Sequence, residues 1–470
     1  VILFWVLVVL AAVLASEALL RLPVLDRIRG VSVYSGRAAR VLRSARVSDH
    51  WKERILPAYA FRIARMAVEF FALLCAALLP VVLLGLIYPP GLAAWFSALM
   101  GPLAILVLMA VSLGYIRLRL GSHAASADAA HYSALDRLLH RLALASPARG
   151  EMLFDIEKSL YLKSSPPDDG RHVFVTGLAR AGTTVLMREI HATGLFGSLT
   201  YADMPFVLAP NLWARLSSKG RSPGQRAERA HGDGIEVDTQ SPEALDEVYW
   251  RLFDGDAYIA ADGLSPHRPD TEMIAGYRDL IRLVLRRTGK ARYVAKNNNT
   301  ILRLATLAAA MPDAQFLVPL REPLAHAASL LGQHERFRNA GPFVRDYMTW
   351  LGHHEFGATH RPFLFEGRPP GDPATLDYWL GLWLAAHRAI ETAEAANQNI
   401  CFVPYETLSS DPAAWQAVAR RIGIVAPPAS ELKVVRDRPA GAHDPALAAE
   451  AAALHARLKA RGLARLGLPG

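Results

Sequence analysis

The first 120 residues limit the fold more than anything after them. Residues 1–20, VILFWVLVVLAAVLASEALL, carry one charged side chain, Glu17, and two further apolar runs follow, from about Met66 to Tyr88 and from about Leu92 to Ile116. A hydrocarbon core of roughly 30 Å is crossed by about twenty residues rising about 1.5 Å each, so each run is long enough to span. Only YPPG separates the second run from the third, which reads as a helical hairpin with its turn just outside the bilayer. About three transmembrane helices are therefore expected, at about 1–20, 66–88 and 92–116, joined by a loop over 21–65. Glu17 and Glu69 stand near run ends, within reach of the headgroups.

Charge sets the expected orientation. A cleaved signal peptide carries its basic residues ahead of the apolar stretch; here they follow it, which favours an uncleaved anchor with its N-terminus outside. Between Arg21 and Arg65 eleven Lys/Arg face three acids, so that segment carries nearly all of the chain's +9. The positive-inside rule puts this loop in the cytoplasm, against anionic lipid, and Arg117 and Arg119 mark the second cytoplasmic exit. The expectation is a multi-pass protein of the cytoplasmic membrane, with the bilayer as one partner and everything after about residue 120 in the cytoplasm. A nucleic-acid-binding domain would carry its own basic face; the soluble part is close to neutral, so no nucleic-acid partner is expected. The two cysteines, Cys75 and Cys401, make neither a disulfide framework nor a zinc site, which fits a reducing compartment.

Residues 121–169 read as a polar connector closed by SSPPDDG, and the pattern changes at 172. HVFVTGL is a short β-branched and aromatic run of the buried-strand kind, followed by a loop and the helical TTVLMREIHATG. ARYVAKNNNTILRL, AQFLVPLREPLAHAASLL and NICFVPYETLSSDPAAWQAVARRIG follow, the last two pairing an apolar strand with a helix opened by proline. Strands alternating with helices predict an α/β fold, a mostly parallel sheet covered on both faces. A helical tail over 431–470 completes the expected order.

Gly177 to Thr184 spells G-x-x-x-x-G-T-T, the outline of a phosphate-binding P-loop. Its glycines let backbone N–H groups point into a concave nest, and the next helix adds its positive N-terminal end. The lysine that a nucleoside triphosphate with Mg²⁺ relies on is replaced by Thr183. Thr183 and Thr184 supply hydroxyl donors, and Arg180 supplies a charge from within the loop. That set suits an anion with fewer charges than a triphosphate, such as a phosphosulfate, and requires no bridging metal.

These residues resemble the sulfotransferases that use 3′-phosphoadenosine-5′-phosphosulfate (PAPS). GLARAGTTVLMREI is similar to their 5′-phosphosulfate loop, in the arginine-containing form of tyrosylprotein and carbohydrate sulfotransferases and many bacterial relatives. FLVPLREPLAHAASLL is similar to their 3′-phosphate segment, in which a strand ends in an arginine, here Arg321, and a serine, here Ser329, follows eight residues on. An arginine at a strand end and a hydroxyl on the next helix can converge on one phosphate. YVAKNNNTILRL resembles the stretch whose lysine, here Lys296, reaches the transferring sulfuryl group. VPYETLSSDP, with Tyr405, looks like the late strand-to-helix segment near the cofactor. The resemblance covers about 170–430 and leaves the apolar helices outside it.

The resemblance implies a P-loop-type, sulfotransferase-like sheet that moves a sulfuryl group from PAPS to an acceptor oxygen or nitrogen, releasing adenosine 3′,5′-bisphosphate without a metal. It assigns the donor to Gly177, Arg180, Ala181, Gly182, Thr183, Thr184, Arg321, Ser329 and Tyr405. Arg180 and Lys296 would stabilise the charge that grows on the leaving phosphate oxygen. The tyrosylprotein relatives place a glutamate about twenty residues after the loop arginine, in a Gly-Glu-Glu context, and this chain departs from that pattern. SLTYADMPF offers Asp203, twenty-three residues on, as the first candidate base; AERAHGDGIEV offers His231 or Asp233 as the second. LGHHEFGATH groups His353, His354, Glu355 and His360 without the helical H-x-x-x-H spacing of a hydrolase, and reads as a substrate-side segment rather than a metal site. The rival readings are a P-loop kinase or nucleotidase, which lacks its lysine here, and a catalytically dead membrane scaffold.

Overall fold

A computed structural model gives the fold. It describes residues 2–24, 49–121, 139–140, 143–167, 169–217, 227–228, 236–237, 241–242, 244–338, 342–367, 369–425 and 441–469, with positions 27, 31, 34, 35, 38, 427, 429 and 432 besides. The chain divides into two compact units, Val1–Leu138 and Leu139–Gly470.

In the first unit, α1 (Ile2–Arg21) packs along α2 (Asp49–Leu86) and α4 (Pro102–Gly121), and α3 (Leu92–Leu99) folds back against α2. Leu7, Val8, Ala11, Leu84, Trp95 and Leu99 form its buried cluster. Leu10, Phe71, Leu83 and Leu106 are exposed, an apolar exterior of the kind hydrocarbon covers. Leu3–Arg21 and Leu56–Leu86 are each long and apolar enough to cross a membrane. Glu17 accepts from Arg21 Nε at 2.6 Å and from Tyr115 Oη at 2.8 Å, and Glu69 pairs with Arg65 at 2.9 Å and Arg27 at 3.1 Å. Both carboxylates near the apolar runs are therefore neutralised within the chain.

Two expectations for this unit are corrected. The third apolar run is not one straight helix: Leu92–Leu99 and Pro102–Ile116 meet at a bend of 79°. Pro102 has no N–H to continue the ladder, and Trp95 fixes the bend by donating its indole N–H to Val81 O at 3.0 Å beside Gly85. The second helix begins at Asp49, not near 66, so the end of the basic segment is helical. Further along the same helix the Arg65–Glu69 pair is spaced i,i+4.

The second unit holds a five-stranded sheet of β1 (Val173–Val175), β2 (Phe196–Gly197), β5 (Arg292–Lys296), β6 (Gln315–Leu320) and β7 (Ile400–Pro404), in the order β2-β5-β1-β6-β7. Every pairing within it is parallel, as the alternation of strands and helices predicts. A separate antiparallel ribbon pairs β3 (Ala227–Glu228) with β4 (Glu236–Val237). Strands covered on both faces are apolar throughout: β1 is wholly buried, and Phe174 stacks on Phe316 of β6 at 4.9 Å. Because β1 lies between β5 and β6, the winding of the sheet reverses there, and the crevice at its carboxyl edge is where ligands of such sheets bind.

Around the sheet lie α5 (Pro147–Tyr161), α6 (Thr183–Ala192), α7 (Glu247–Tyr258), α8 (Thr271–Thr288), α9 (Pro323–Phe337), α10 (Pro342–Trp350), α11 (Leu376–Ala396) and α12 (Pro445–Leu466). The first lies in the stretch read as a connector and the last in the expected helical tail, and both pack onto the core. Within the 121–169 stretch, α5 buries Phe154 and Glu157, and Glu157 accepts from the backbone N–H of Asn211 and Leu212 at 2.8 and 3.0 Å. A buried carboxylate capping another helix is a core contact. In α12, Leu454 and Leu458 are buried, a Cβ on Gly462 would stand 3.1 Å from the Phe402 side chain of β7, and Arg461 and Arg465 pair with the buried Glu394 of α11. The C-terminal helix is a covering layer of the sheet.

Candidate active site at the carboxyl edge of the sheet

The register of the sheet brings four strand ends together. Val175 of β1 lies level with Lys296 of β5 on one side and Leu317 of β6 on the other, and Leu320 of β6 lies level with Pro404 of β7. The chain leaving β1 is held between its neighbours: Thr176 donates its backbone N–H to Leu317 O at 2.9 Å and its hydroxyl to Asn297 O at 2.8 Å.

The loop then turns through three positive φ angles, Gly177 at 132°, Arg180 at 68° and Gly182 at 97°. Such a run makes a concave nest of N–H groups, and Gly182 hands the chain directly to α6, whose first residues are Thr183 and Thr184. Arg180 is the one non-glycine with positive φ among the described residues, a conformation that costs an L-residue about 1–2 kcal/mol. Its surroundings hold it there. Arg321 Nη1 donates to Arg180 O at 3.2 Å, Arg180 Nε donates to Ser329 Oγ at 3.3 Å, and His326 Nε2 donates to Ala179 O at 2.8 Å. Burial pushes the His326 imidazole down to about 3, against the pull of its bond to Ala179 and with Arg321 and Arg180 adding to the effect. A neutral ring therefore serves as donor under the loop.

The fold thus brings together Gly177, Arg180, Ala181, Gly182, Thr183, Thr184, Arg321 and Ser329. Tyr405, the first residue after β7, joins them: a Cβ on Gly182 would overlap its ring, so glycine is required by close approach as well as by φ. Burial raises the Tyr405 phenol, against Arg321. Lys296 closes the other side at the end of β5 and is 8% exposed.

The three asparagines after Lys296 are a feature the sequence reading passed over. Asn297 donates its side-chain amide to Glu247 at 2.7 Å, Asn298 to Glu355 Oε1 at 2.9 Å, and Asn299 to Gly352 O at 2.9 Å. Beneath them Glu247, wholly buried on α7, also meets Arg303 and the Tyr258 hydroxyl, and a Cβ on Gly352 would come within 2.7 Å of Glu247. The run NNN directly after a strand was the available signal: adjacent amides at a strand end favour local and cross-loop hydrogen bonds over regular structure.

Asp203 is not placed for proton transfer. Its Oδ2 accepts the Thr200 N–H at 2.8 Å and the Thr200 hydroxyl at 3.2 Å in a capping box, and pairs with Arg287 at 2.9 Å. Buried at 2% exposure, with Oδ2 engaged by the Thr200 N–H, the Thr200 hydroxyl and Arg287, it serves as a structural cap. His231 and Asp233 lie outside the described residues. In the LGHHEFGATH segment, His353 Nε2 lies 3.2 Å from Ala244 O and His360 Nε2 lies 2.8 Å from the Tyr378 hydroxyl. Burial lowers His354 and His360 to about 4 each. Among the described residues no three His, Cys, Asp or Glu side chains converge as metal ligands would.

Three solved structures are similar to this chain. Sulfotransferase STF1 from Mycobacterium tuberculosis H37Rv is 16% identical, with 72% of this chain and 83% of that chain covered and a TM-score of 0.40. Sulfotransferase STF9 from Mycobacterium avium is 13% identical, covering 74% and 81%, at 0.37. A sulfotransferase from Alicyclobacillus acidocaldarius is 17% identical, covering 65% and 98%, at 0.29. No curated protein matches. A family model described as "Sulfotransferase family" matches residues 172–424, which spans the strand–loop–helix of Gly177–Thr184, Lys296, Arg321, Ser329 and Tyr405 and is more than half of the chain. The chain belongs to the sulfotransferase family.

Proposed function

We propose that this chain is a membrane-anchored sulfotransferase that moves a sulfuryl group from PAPS to a hydroxyl or amine of an acceptor presented at the cytoplasmic leaflet. The observation that carries the reading is the convergence of an amide nest, Arg180, Lys296, Arg321 and Ser329 at one edge of the sheet. In this reading the nest and the hydroxyls of Thr183 and Thr184 hold the 5′-phosphosulfate, and Arg321 with Ser329 holds the 3′-phosphate, the guanidinium acting as a two-pronged donor. The acceptor attacks sulfur in line with the bond to the phosphate. Charge grows on the departing phosphate oxygen, where preorganised donors contribute most; Arg180 and Lys296 take that role.

The apolar helices of the first unit support anchoring in a membrane. The basic residues between Arg21 and Arg65 favour a cytoplasmic second unit, where PAPS would meet it. An anchored enzyme of this kind favours a lipid, a lipid-linked glycan or another membrane-held hydroxyl compound as acceptor.

The test is thermal stabilisation of the full-length chain in detergent by adenosine 3′,5′-bisphosphate and, separately, by ATP with Mg²⁺. A ligand at about 100 times its dissociation constant stabilises by about 2.7 kcal/mol. Stabilisation by the bisphosphate alone is expected. Stabilisation by ATP–Mg²⁺ alone would make the protein a kinase or nucleotidase, and stabilisation by neither would make it an inactive scaffold.

A further inference from the structure

With Asp203 committed to its cap, the base has to be found from the geometry. Glu355 follows α10, in a segment bound to the strand end that carries Lys296. Asn298 holds its Oε1 at 2.9 Å, and Asn299 holds Gly352 O at 2.9 Å, so two adjacent residues after β5 fix both ends of Gly352–Glu355. The Glu355 carboxylate accepts that bond from Asn298 and one from its own backbone N–H, and forms no ion pair among the described residues. The same carboxylate lines a shallow surface groove together with Phe337, Val344, Arg345, Met348, His353 and Phe356. The side formed by Phe337, Val344, Met348 and Phe356 suits an alcohol carried on an apolar body.

We propose that Glu355 is the general base, taking the proton from an acceptor hydroxyl seated in this groove. The inference rests on the sulfotransferase reading above. In the step, the acceptor oxygen forms its bond to sulfur as the bond from sulfur to the phosphate oxygen breaks. That electron pair leaves with adenosine 3′,5′-bisphosphate, and the acceptor's proton passes to Oε2 of Glu355. Burial by itself would raise the Glu355 carboxyl, but His353, the Asn298 hydrogen bond and Lys296 outweigh it and lower it, so the group is ionised and ready to accept at neutral pH.

Glu355→Gln separates this role from a structural one, because the glutamine carbonyl still accepts from Asn298 while the basic oxygen is lost. Full-length wild-type and variant chains, in native membranes, are given ³⁵S-labelled PAPS, and label entering the membrane extract is measured; calorimetry with adenosine 3′,5′-bisphosphate checks the donor site. The expected result is equal bisphosphate binding with transfer reduced about 10²–10⁴-fold, the usual contribution of a positioned base. Glu355→Ala should lose as much and regain transfer when formate is added. Transfer by Glu355→Gln within about threefold of wild type, or no formate rescue of Glu355→Ala, overturns the assignment and leaves the donor reading standing. A wild-type chain that neither binds the bisphosphate nor transfers label overturns the donor reading, and this one with it.

Discussion

Gly182 is where the nest, the helix and the last strand meet, and replacing it with alanine gives a worked test of how the loop is held. Two separate costs are expected. At φ 97° a Cβ brings the left-handed penalty of about 1–2 kcal/mol. The same Cβ would overlap the ring of Tyr405, which is 6% exposed and anchored at the start of a helix, so the clash resembles overpacking of a filled core, about 1–3 kcal/mol. Gly182→Ala should therefore destabilise the second unit by about 2–5 kcal/mol. The two terms separate in a double-mutant cycle. In a Tyr405→Ala background only the backbone term remains, so the coupling between the sites should be about 1–3 kcal/mol. Denaturant unfolding of the full chain in detergent, followed through the buried Trp379, Trp383 and Trp415, reads both quantities. A cost for Gly182→Ala below about 0.5 kcal/mol, or an unchanged cost once the ring is gone, would refute the argument.

Two further substitutions bear on buried carboxylates. Asp203→Asn should lower stability by about 1–3 kcal/mol by weakening the cap and the Arg287 pair, while the folded protein transfers label at the wild-type rate; a loss of turnover at unchanged stability would return Asp203 to the chemistry. Asp246 is buried beside Glu247, and burial pushes its carboxyl up from 3.8 to about 6 against the hydrogen bond from Tyr277. A raised folded value means that its contribution to stability is fully present below about pH 3.8 and lost as the pH rises through about 6. Asp246→Asn should thus gain on wild type over that window, reaching about 3 kcal/mol at most above it, and unfolding curves at pH 4 and pH 8 that show a constant difference would count against it.

The elements the sequence makes legible are those whose chemistry is local. Gly177–Thr184 announces its turn because positive φ angles and adjacent amides select glycine over a few consecutive residues. Apolar runs announce helices that can cross a membrane because length and hydrophobicity are additive along the chain. The alternation of short apolar strands with proline-opened helices announces the parallel sheet. Features set by contacts between residues far apart in the chain are not legible in the same way. The stretch around α5 is polar in composition, yet Glu157 is buried because it caps a helix that starts at Pro210. The third apolar run keeps its hydrophobicity through Gly101-Pro102, where the backbone turns by 79°.

The candidate site divides in the same way. Arg180, Thr183, Thr184, Lys296, Arg321 and Ser329 are readable because each lies at a strand's carboxyl end or within nine residues after it, and in a parallel sheet the carboxyl ends share one edge. Sequence spacing alone suggested Asp203 as a base, because distance along the chain from the loop cannot tell a free carboxylate from one closed by Thr200 and Arg287. Glu355 stands 175 residues beyond Arg180, and what brings it to the end of β5 is two amide hydrogen bonds from Asn298 and Asn299. The one-dimensional pattern determined the cradle and the apolar helices, since their constraints act between neighbours. Tertiary structure alone decided that Asp203 is engaged as a cap, since that depends on which groups other parts of the chain bring to it.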